Sequence, residues 1–285
     1  VSLSGGVSPV LAQRLAARLS LLRANVAEYF RLLQRKPRRL VTPRWRRPLR
    51  LGTAALIAVA AVVATMIMVD ASAVGFAQRL PEWLIEDFDQ LTDFGKSPWF
   101  LVPIATGLLV IAAMASPKLS QMSRGVLAAV AVRLGFLLLA IGLPGLVVTI
   151  GKRLIGRARP LVGGSVEPFS YRPFGWEVEY ASLPSGHAVD AFAAAMAIGA
   201  LWPRARPFMW TYAVIIAVSR IVLTAHFPSD VIAGALIGMI GVLLVRDWFA
   251  ARGLAFVLGA DGAVRPLPGP SAARSKRVAW QLIAA

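Results

Sequence analysis

Six apolar stretches, each bounded by charged residues, divide most of this chain. Leu51 to Val69 runs nineteen residues without a charge, close to the ~20 residues that cross a bilayer core as a helix. Trp99 to Ala115, a run within Gly125 to Gly151, Gly186 to Trp202, Pro207 to Thr224 and Pro228 to Val245 repeat the pattern. The pattern predicts an all-α fold, a bundle of six transmembrane helices over residues 51–246. Arg133 lies near the inner end of the third span, where its long stem can snorkel, and Pro144 is placed to kink that span.

Ahead of the first span the period changes. Leu11, Leu15, Leu19, Leu22, Val26, Tyr29 and Leu33 recur at spacings of three and four, which predicts an amphipathic helix. Residues 1–50 carry twelve Lys or Arg against one acid, Glu28. Such a helix fits an anionic membrane surface; docking on a partner or on the rest of the chain is the alternative. Behind the last span, residues 247–285 read as a tail, flexible over the Pro-, Ala-, Ser- and Arg-rich residues 264–276. The loop 70–98 holds six acids and two cations, and its Trp83, Leu84, Phe88, Leu91 and Phe94 predict an interfacial helix. Its acids, Asp70 among them, read as a solvated face.

Composition supports a membrane protein: 57% of residues are hydrophobic and the mean hydropathy is +0.66. The net charge of +17 would suggest nucleic acid on a soluble chain. Here nine of the first twelve cations lie within twenty residues of the first span, so they orient the chain instead. By the positive-inside tendency both termini are cytoplasmic, and no nucleic-acid partner is expected. Cysteine is absent, which excludes disulfides and thiolate metal sites. With two histidines in the chain, a structural zinc site is not expected, while a carboxylate-bound magnesium stays open. Ala71-Ser72-Ala73 resembles a signal-peptidase site, but the long basic leader fits an anchor better. The start at Val1 fits a trimmed chain or an unusual start codon.

The exception to the charge rule carries the chemistry. The outer loop 152–185 holds Lys152, Arg153, Arg157, Arg159 and Arg172, and cations on that side call for an anionic ligand. The predicted topology brings three clusters to this one face: Lys152 through Arg159-Pro160, Pro184-Ser185-Gly186-His187, and Ser219-Arg220 through His226 to Asp230. Both histidines of the chain fall in them. A phosphate needs several fixed donors, which Lys152, Arg159 and Arg220 can supply. The N-terminus of the fourth span adds free N–H groups at Ser185 and Gly186. A neutral His226 can attack phosphorus, with Asp230 fixing its tautomer. His187 can protonate the leaving group and then activate water. Pro228 is placed to begin a new helix just after His226. Asp190, one turn below His187, either pairs with His187 or a phosphate-binding cation, or is an acid favoured near a helix start. Arg153 and Arg157 either widen a cationic rim or sit at the interface. Phe169, Tyr171, Trp176 and Tyr180 are candidates for the substrate entrance.

In this order K-x6-RP, PSGH and SR-x5-H-x3-D resemble the type-2 phosphatidic acid phosphatase superfamily, over about residues 51–246. The resemblance implies a six-helix membrane fold and phosphatase chemistry without a metal or other cofactor. It implies a phosphohistidine on His226, His187 as general acid, and phosphate binding by Lys152, Arg159, Ser185, Gly186 and Arg220. With the spans, it favours the membrane lipid-phosphatase branch; the predicted topology then puts a lipid phosphate substrate at the outer, periplasmic face, and the Ala- and Arg-rich composition points to a bacterial inner membrane. Undecaprenyl diphosphate, phosphatidic acid, phosphatidylglycerophosphate and the phosphate of a lipid A-type glycolipid all fit. A lipid phosphotransferase and a catalytically silent anionic-lipid-binding protein are the alternatives.

Overall fold

A computed structural model of the chain describes residues 9–38, 43 and 48–283. Four of the expected juxtamembrane cations, Arg39, Arg44, Arg46 and Arg47, lie outside the described residues, as do the first eight and last two positions. The helices are α1 (Pro9–Leu33), α2 (Pro48–Met68), α3 (Asp70–Ala77), α4 (Glu82–Thr92), α5 (Pro98–Met114), α6 (Gln121–Ile155), α7 (Gly186–Leu201), α8 (Arg206–Val222), α9 (Pro228–Ala251) and α10 (Ala272–Ile283).

Helices α2, α5, α6, α7, α8 and α9 coincide with the six apolar stretches. Five of these regions are long and apolar enough to cross a membrane. The sixth, α7, has sixteen residues, or about 24 Å at 1.5 Å per residue, short of the ~30 Å core. Its place explains its length. It packs on α6, α8 and α9, and Ala188, Ala191, Ala193, Ala194, Ala195 and Ala197 are all fully buried. A central helix meets protein rather than lipid, and small side chains let its neighbours close around it. Gly234 and Gly238 of α9 complete the approach. A Cβ on Gly234 would sit 2.5 Å from the Ser185 carbonyl, and one on Gly238 2.5 Å from that of Val189. The start of α7 is thereby held against the start of α9.

The amphipathic expectation for α1 describes its second half as an internal contact. Leu22, Val26 and Tyr29 are half-buried and Leu33 is buried, whereas Leu19 is exposed. Asn25 Nδ2 donates to the carbonyls of Ala112 and Ala115 at the end of α5 (2.8 and 2.7 Å). These carbonyls have no i+4 donor inside α5, so a side-chain amide is a favourable partner.

The tail differs from the flexible segment expected. A short antiparallel hairpin pairs β1 (Phe256–Leu258) with β2 (Val264–Pro266). Phe256 packs edge-on against Phe136 of α6, with ring centroids 4.7 Å apart. Helix α10 follows, with Val278 buried beside Val126 and Leu127 and Gln281 accepting from Ser123 Oγ at 2.7 Å. Two buried apolar contacts and a long-range hydrogen bond within the chain order a segment whose composition reads as coil.

Candidate active site

Three loops meet where α6, α8 and the starts of α7 and α9 converge. Gly156 caps α6 in the left-handed region (φ 66°). A Cβ there would lie 1.9 Å from the Arg172 carbonyl, so glycine is what lets the chain turn sharply back. Beyond it, Arg159 N–H donates to the Glu179 carbonyl (2.8 Å) and Ser182 N–H to that of Arg157 (3.1 Å). Arg220 lies in the last turn of α8 and His226 in the loop that follows, and the two are tied together because the His226 N–H donates to the Arg220 carbonyl at 3.2 Å. Pro228 then opens α9, as its spacing predicts. Asp230 caps that helix by accepting from the Phe227 N–H at 2.9 Å, and its carbonyl accepts from the Ser185 N–H at 3.0 Å. The second and third motifs are thus joined by a backbone hydrogen bond, and the first is tied to Ser182, two residues before the second.

His226 is buried. Its Nδ1 faces Asp230 Oδ2 at 3.8 Å, beyond direct hydrogen-bond range. Ser182 fills the gap: its hydroxyl donates to Asp230 Oδ2 at 2.6 Å and lies 3.5 Å from His226 Nδ1. Ser182 is absent from the sequence reading. Its position two residues before Pro184, inside an apolar-to-polar transition, is the one signal that could have found it. Burial lowers the His226 pKa from its ordinary value; Arg220 and Arg159 act in the same direction and Asp230 opposes them. A buried imidazole beside two guanidiniums is held neutral, the state a nucleophile requires.

Around His226 the polar atoms form two groups of opposite character. In the first, every nitrogen of Arg157 has a partner. Nε donates to the Pro168 carbonyl (2.9 Å), Nη1 to Ser229 Oγ (2.7 Å) and Asp230 Oδ1 (2.6 Å), and Nη2 to Asp70 Oδ2 (2.7 Å). Arg157 is fully buried, as are Asp70 and Asp230. Burial alone would lower the Arg157 pKa, but Asp230 and Asp70 together raise it above its ordinary value. Two expectations change here. Arg157 does not widen a cationic rim, because both ends of its fork are occupied by carboxylates. Asp70 is not on a solvated face, because the turn from α2 into α3 buries it against the start of α9.

In the second group, buried polar atoms lack partners. Among the described residues these include Arg159 Nε, Ser185 Oγ, His187 Nε2, Asp190 Oδ1 and Arg220 Nε. Each belongs to the three motifs or lies one turn from them. Buried polar atoms without partners are uncommon in native proteins, and five converging ones describe a place for a polar ligand. Lys152, in the last turn of α6, is half-buried beside Arg159 and Asp190. Asp190 lies beyond the first turn of α7. It faces Ser97 and the charge of Lys152. Arg153 turns away, donating to the carbonyls of Trp176 and Glu177; it fastens the outer loop.

Helix α4, expected from its aromatic residues, covers this group. Its last residue, Thr92, is buried. The Thr92 hydroxyl accepts from Arg220 Nη1 at 2.7 Å and from Ser219 Oγ at 3.0 Å. In the turn that follows, a Cβ on Gly95 would lie 3.1 Å from His187 Cδ2. Among the described residues, no group of three or more His, Cys, Asp or Glu could hold a metal ion.

The chain is similar to several known proteins. The PAP2 superfamily model matches residues 133–254, which contain all three motifs. The Lipid A 1-phosphatase of Rhizobium johnstonii is 35% identical over 229 residues, covering 77% of this chain and 91% of that protein. The Lipid A 1-phosphatase of Rhizobium etli is 37% identical over 219 residues, covering 75% and 92%. A solved transmembrane PAP2 type phosphatidylglycerolphosphate phosphatase from Bacillus subtilis aligns with a TM-score of 0.47 at 22% identity, over 70% of this chain and 94% of that one. The chain belongs to the PAP2 superfamily. Within it, this is a multi-pass helical membrane protein; among the described residues five helices are long and apolar enough to span a membrane, and α7 is a shorter apolar helix.

Proposed function

We propose that this protein is a membrane lipid phosphatase that removes a phosphate monoester from a lipid A-type glycolipid through a phosphohistidine on His226. The observation that carries the reading is the convergence of unpartnered buried atoms from all three motifs, four of them nitrogens or a hydroxyl able to donate to a phosphate. The two Rhizobium relatives, each covered over more than nine tenths of its length, support the lipid class and the sugar phosphate within it.

In this reading Lys152, Arg159 and Arg220 hold the phosphate oxygens, together with Ser185 and the free N–H groups at Gly186. The His226 Nε2 lone pair attacks phosphorus, and the P–O bond to the sugar breaks. The leaving oxygen takes a proton from His187. The phosphorylated ring keeps its Nδ1 proton and carries positive charge, which Asp230 and Ser182 stabilise. Water then attacks phosphorus while His187 accepts its proton; the P–N bond breaks, and inorganic phosphate and neutral His226 remain. No metal enters either step, so chelator should leave turnover unchanged.

The same reading places the site at the periplasmic face. The helices alternate so that the motifs share one end of the bundle, while Lys118, Arg124, Arg204, Arg206 and Arg246 lie near the ends of spans that lead away from it. The positive-inside tendency supports a cytoplasmic address for those cations.

The test is phosphate release in detergent from lipid A, phosphatidic acid, phosphatidylglycerophosphate and undecaprenyl diphosphate, with His226→Ala alongside. Release from lipid A that His226→Ala abolishes is expected. Release confined to another lipid would move the substrate, and equal release by His226→Ala would remove the nucleophile. Label that stays on the protein and is released only when a second lipid is added would make the enzyme a transferase.

A further inference from the structure

The buried Arg157 cluster has a charge balance that the reaction can use. Asp70 and Asp230 are two carboxylates and Arg157 is one guanidinium, so the cluster carries one net negative charge, −1 −1 +1. It is sealed: all three residues have fully buried side chains. The Arg157 fork is divided, Nη1 to Asp230 and Nη2 to Asp70, and the Phe227 ring covers the guanidinium with its centroid 4.4 Å away. Asp70 also fixes the start of α9. Its Oδ1 accepts from the Ser229 N–H (3.0 Å) and its Oδ2 from the Ser229 hydroxyl (2.5 Å). Without Asp70, Arg157 would neutralise Asp230, and the group facing His226 would carry no net charge.

We propose that Asp70 is a positioning residue for the transfer reaction: by engaging Arg157 and Ser229 it leaves the charge of Asp230 available to His226. Asp70 lies outside residues 133–254, which the family model matches, and 160 residues before Asp230 in the chain. The inference rests on His226 as nucleophile. As the ring is phosphorylated it becomes cationic, and a cluster with one spare negative charge receives that cation with no movement of heavy groups. The other charges near His226 come from separate elements: Arg220 on α8, Arg159 on the loop after α6 and His187 on α7. Lys152 of α6 and Lys96 after α4 lie on the His187 side. None of these changes in the variants that follow.

The sign of a pH shift distinguishes this role from a structural one. With the full chain in detergent and the lipid phosphate hydrolysed fastest in the panel above, the acid limb of kcat/KM reports protonation of His226. Asp70→Asn keeps an acceptor for the Ser229 N–H but removes one negative charge. It should move the limb down by about one pH unit and lower kcat about 10- to 100-fold, with KM within about threefold. Arg157→Gln removes the positive charge and should move the limb up. The double variant restores a single net negative charge and should bring the limb back near its original position, with kcat above that of Asp70→Asn alone. Asp70→Glu should recover part of the loss. Ser229→Ala trims the same cluster without changing its charge and should leave the limb in place. Shifts of one sign in both single variants, or no shift in either, would overturn the proposal. If Arg157→Gln does not fold, Asp70→Asn decides alone: a limb left in place overturns the role. Trapped phosphate on His226 separates this test from the reading beneath it. Trapping with no opposed shifts sinks Asp70 alone, whereas turnover without trapping sinks the nucleophile.

Discussion

Arg157 and Arg159 stand two residues apart in one loop, and their surroundings differ completely. Each Arg157 nitrogen donates to a protein acceptor, two of them carboxylates. Arg159 has a buried Nε with no partner, and so has Arg220 across the site. Arg157 is fully buried and Arg159 partly so; both have a buried Nε, and only that of Arg157 is satisfied. A buried charge with all its bonds made holds structure in place. A buried charge with bonds left over costs stability in the resting protein and gives it back only when an anion arrives. The difference separates the residues that build the site from those that wait for substrate, and His226 lies between the two groups.

Variants can break this contrast. The largest effect is expected at His226 itself: His226→Ala should lower turnover on the order of 10⁴-fold or more, as for other lost nucleophiles, with lipid binding retained. Next are the unsatisfied cations. Arg159→Leu and Arg220→Leu should each lower kcat/KM about 10²- to 10³-fold with no loss of thermal stability, because they remove a strained charge. Arg157→Leu should behave in the opposite way, losing about 3–5 kcal/mol of stability because two carboxylates are left buried without a cation. Equal stability losses at Arg157 and Arg159 in a thermal melt would erase the distinction. Thr92→Ala removes one acceptor from Arg220 and should cost about 3- to 10-fold in kcat/KM, the scale of one hydrogen bond to a charged group. The smallest effect belongs to Arg172, whose pair with Glu177 is 3.0 Å long but more than half exposed on both sides. Arg172→Ala should change activity and stability negligibly, as exposed ion pairs do.

How far the sequence reaches follows from the range of each interaction. The first span is legible to within a few residues, Leu51–Val69 against Pro48–Met68, since a long charge-free run has few alternatives. The turn at Pro228 is legible because proline at a first helical position has a local cause. Asp70 is not. Its partner Arg157 is 87 residues away, and no periodicity links an acid after one span to a cation after another, so its loop reads as solvated. Ser182 and Thr92 act through hydroxyls on residues 44 and 128 positions away, and neither hydroxyl carries a pattern. Helix α10 escapes for a different reason. Its Pro- and Ser-rich approach reads as coil, and the buried Val278 contact and the Ser123–Gln281 bond supply the order from outside the segment.

Rapid-quench labelling with lipid A carrying phosphorus-32 on its phosphate tests the central claim most directly. The account predicts a label on the wild-type protein that is acid-labile, stable to alkali, and located on His226. It should disappear in His226→Ala and form more slowly in Arg159→Leu and Arg220→Leu. Turnover of the lipid with no protein-bound label, or label on a residue other than His226, would contradict it.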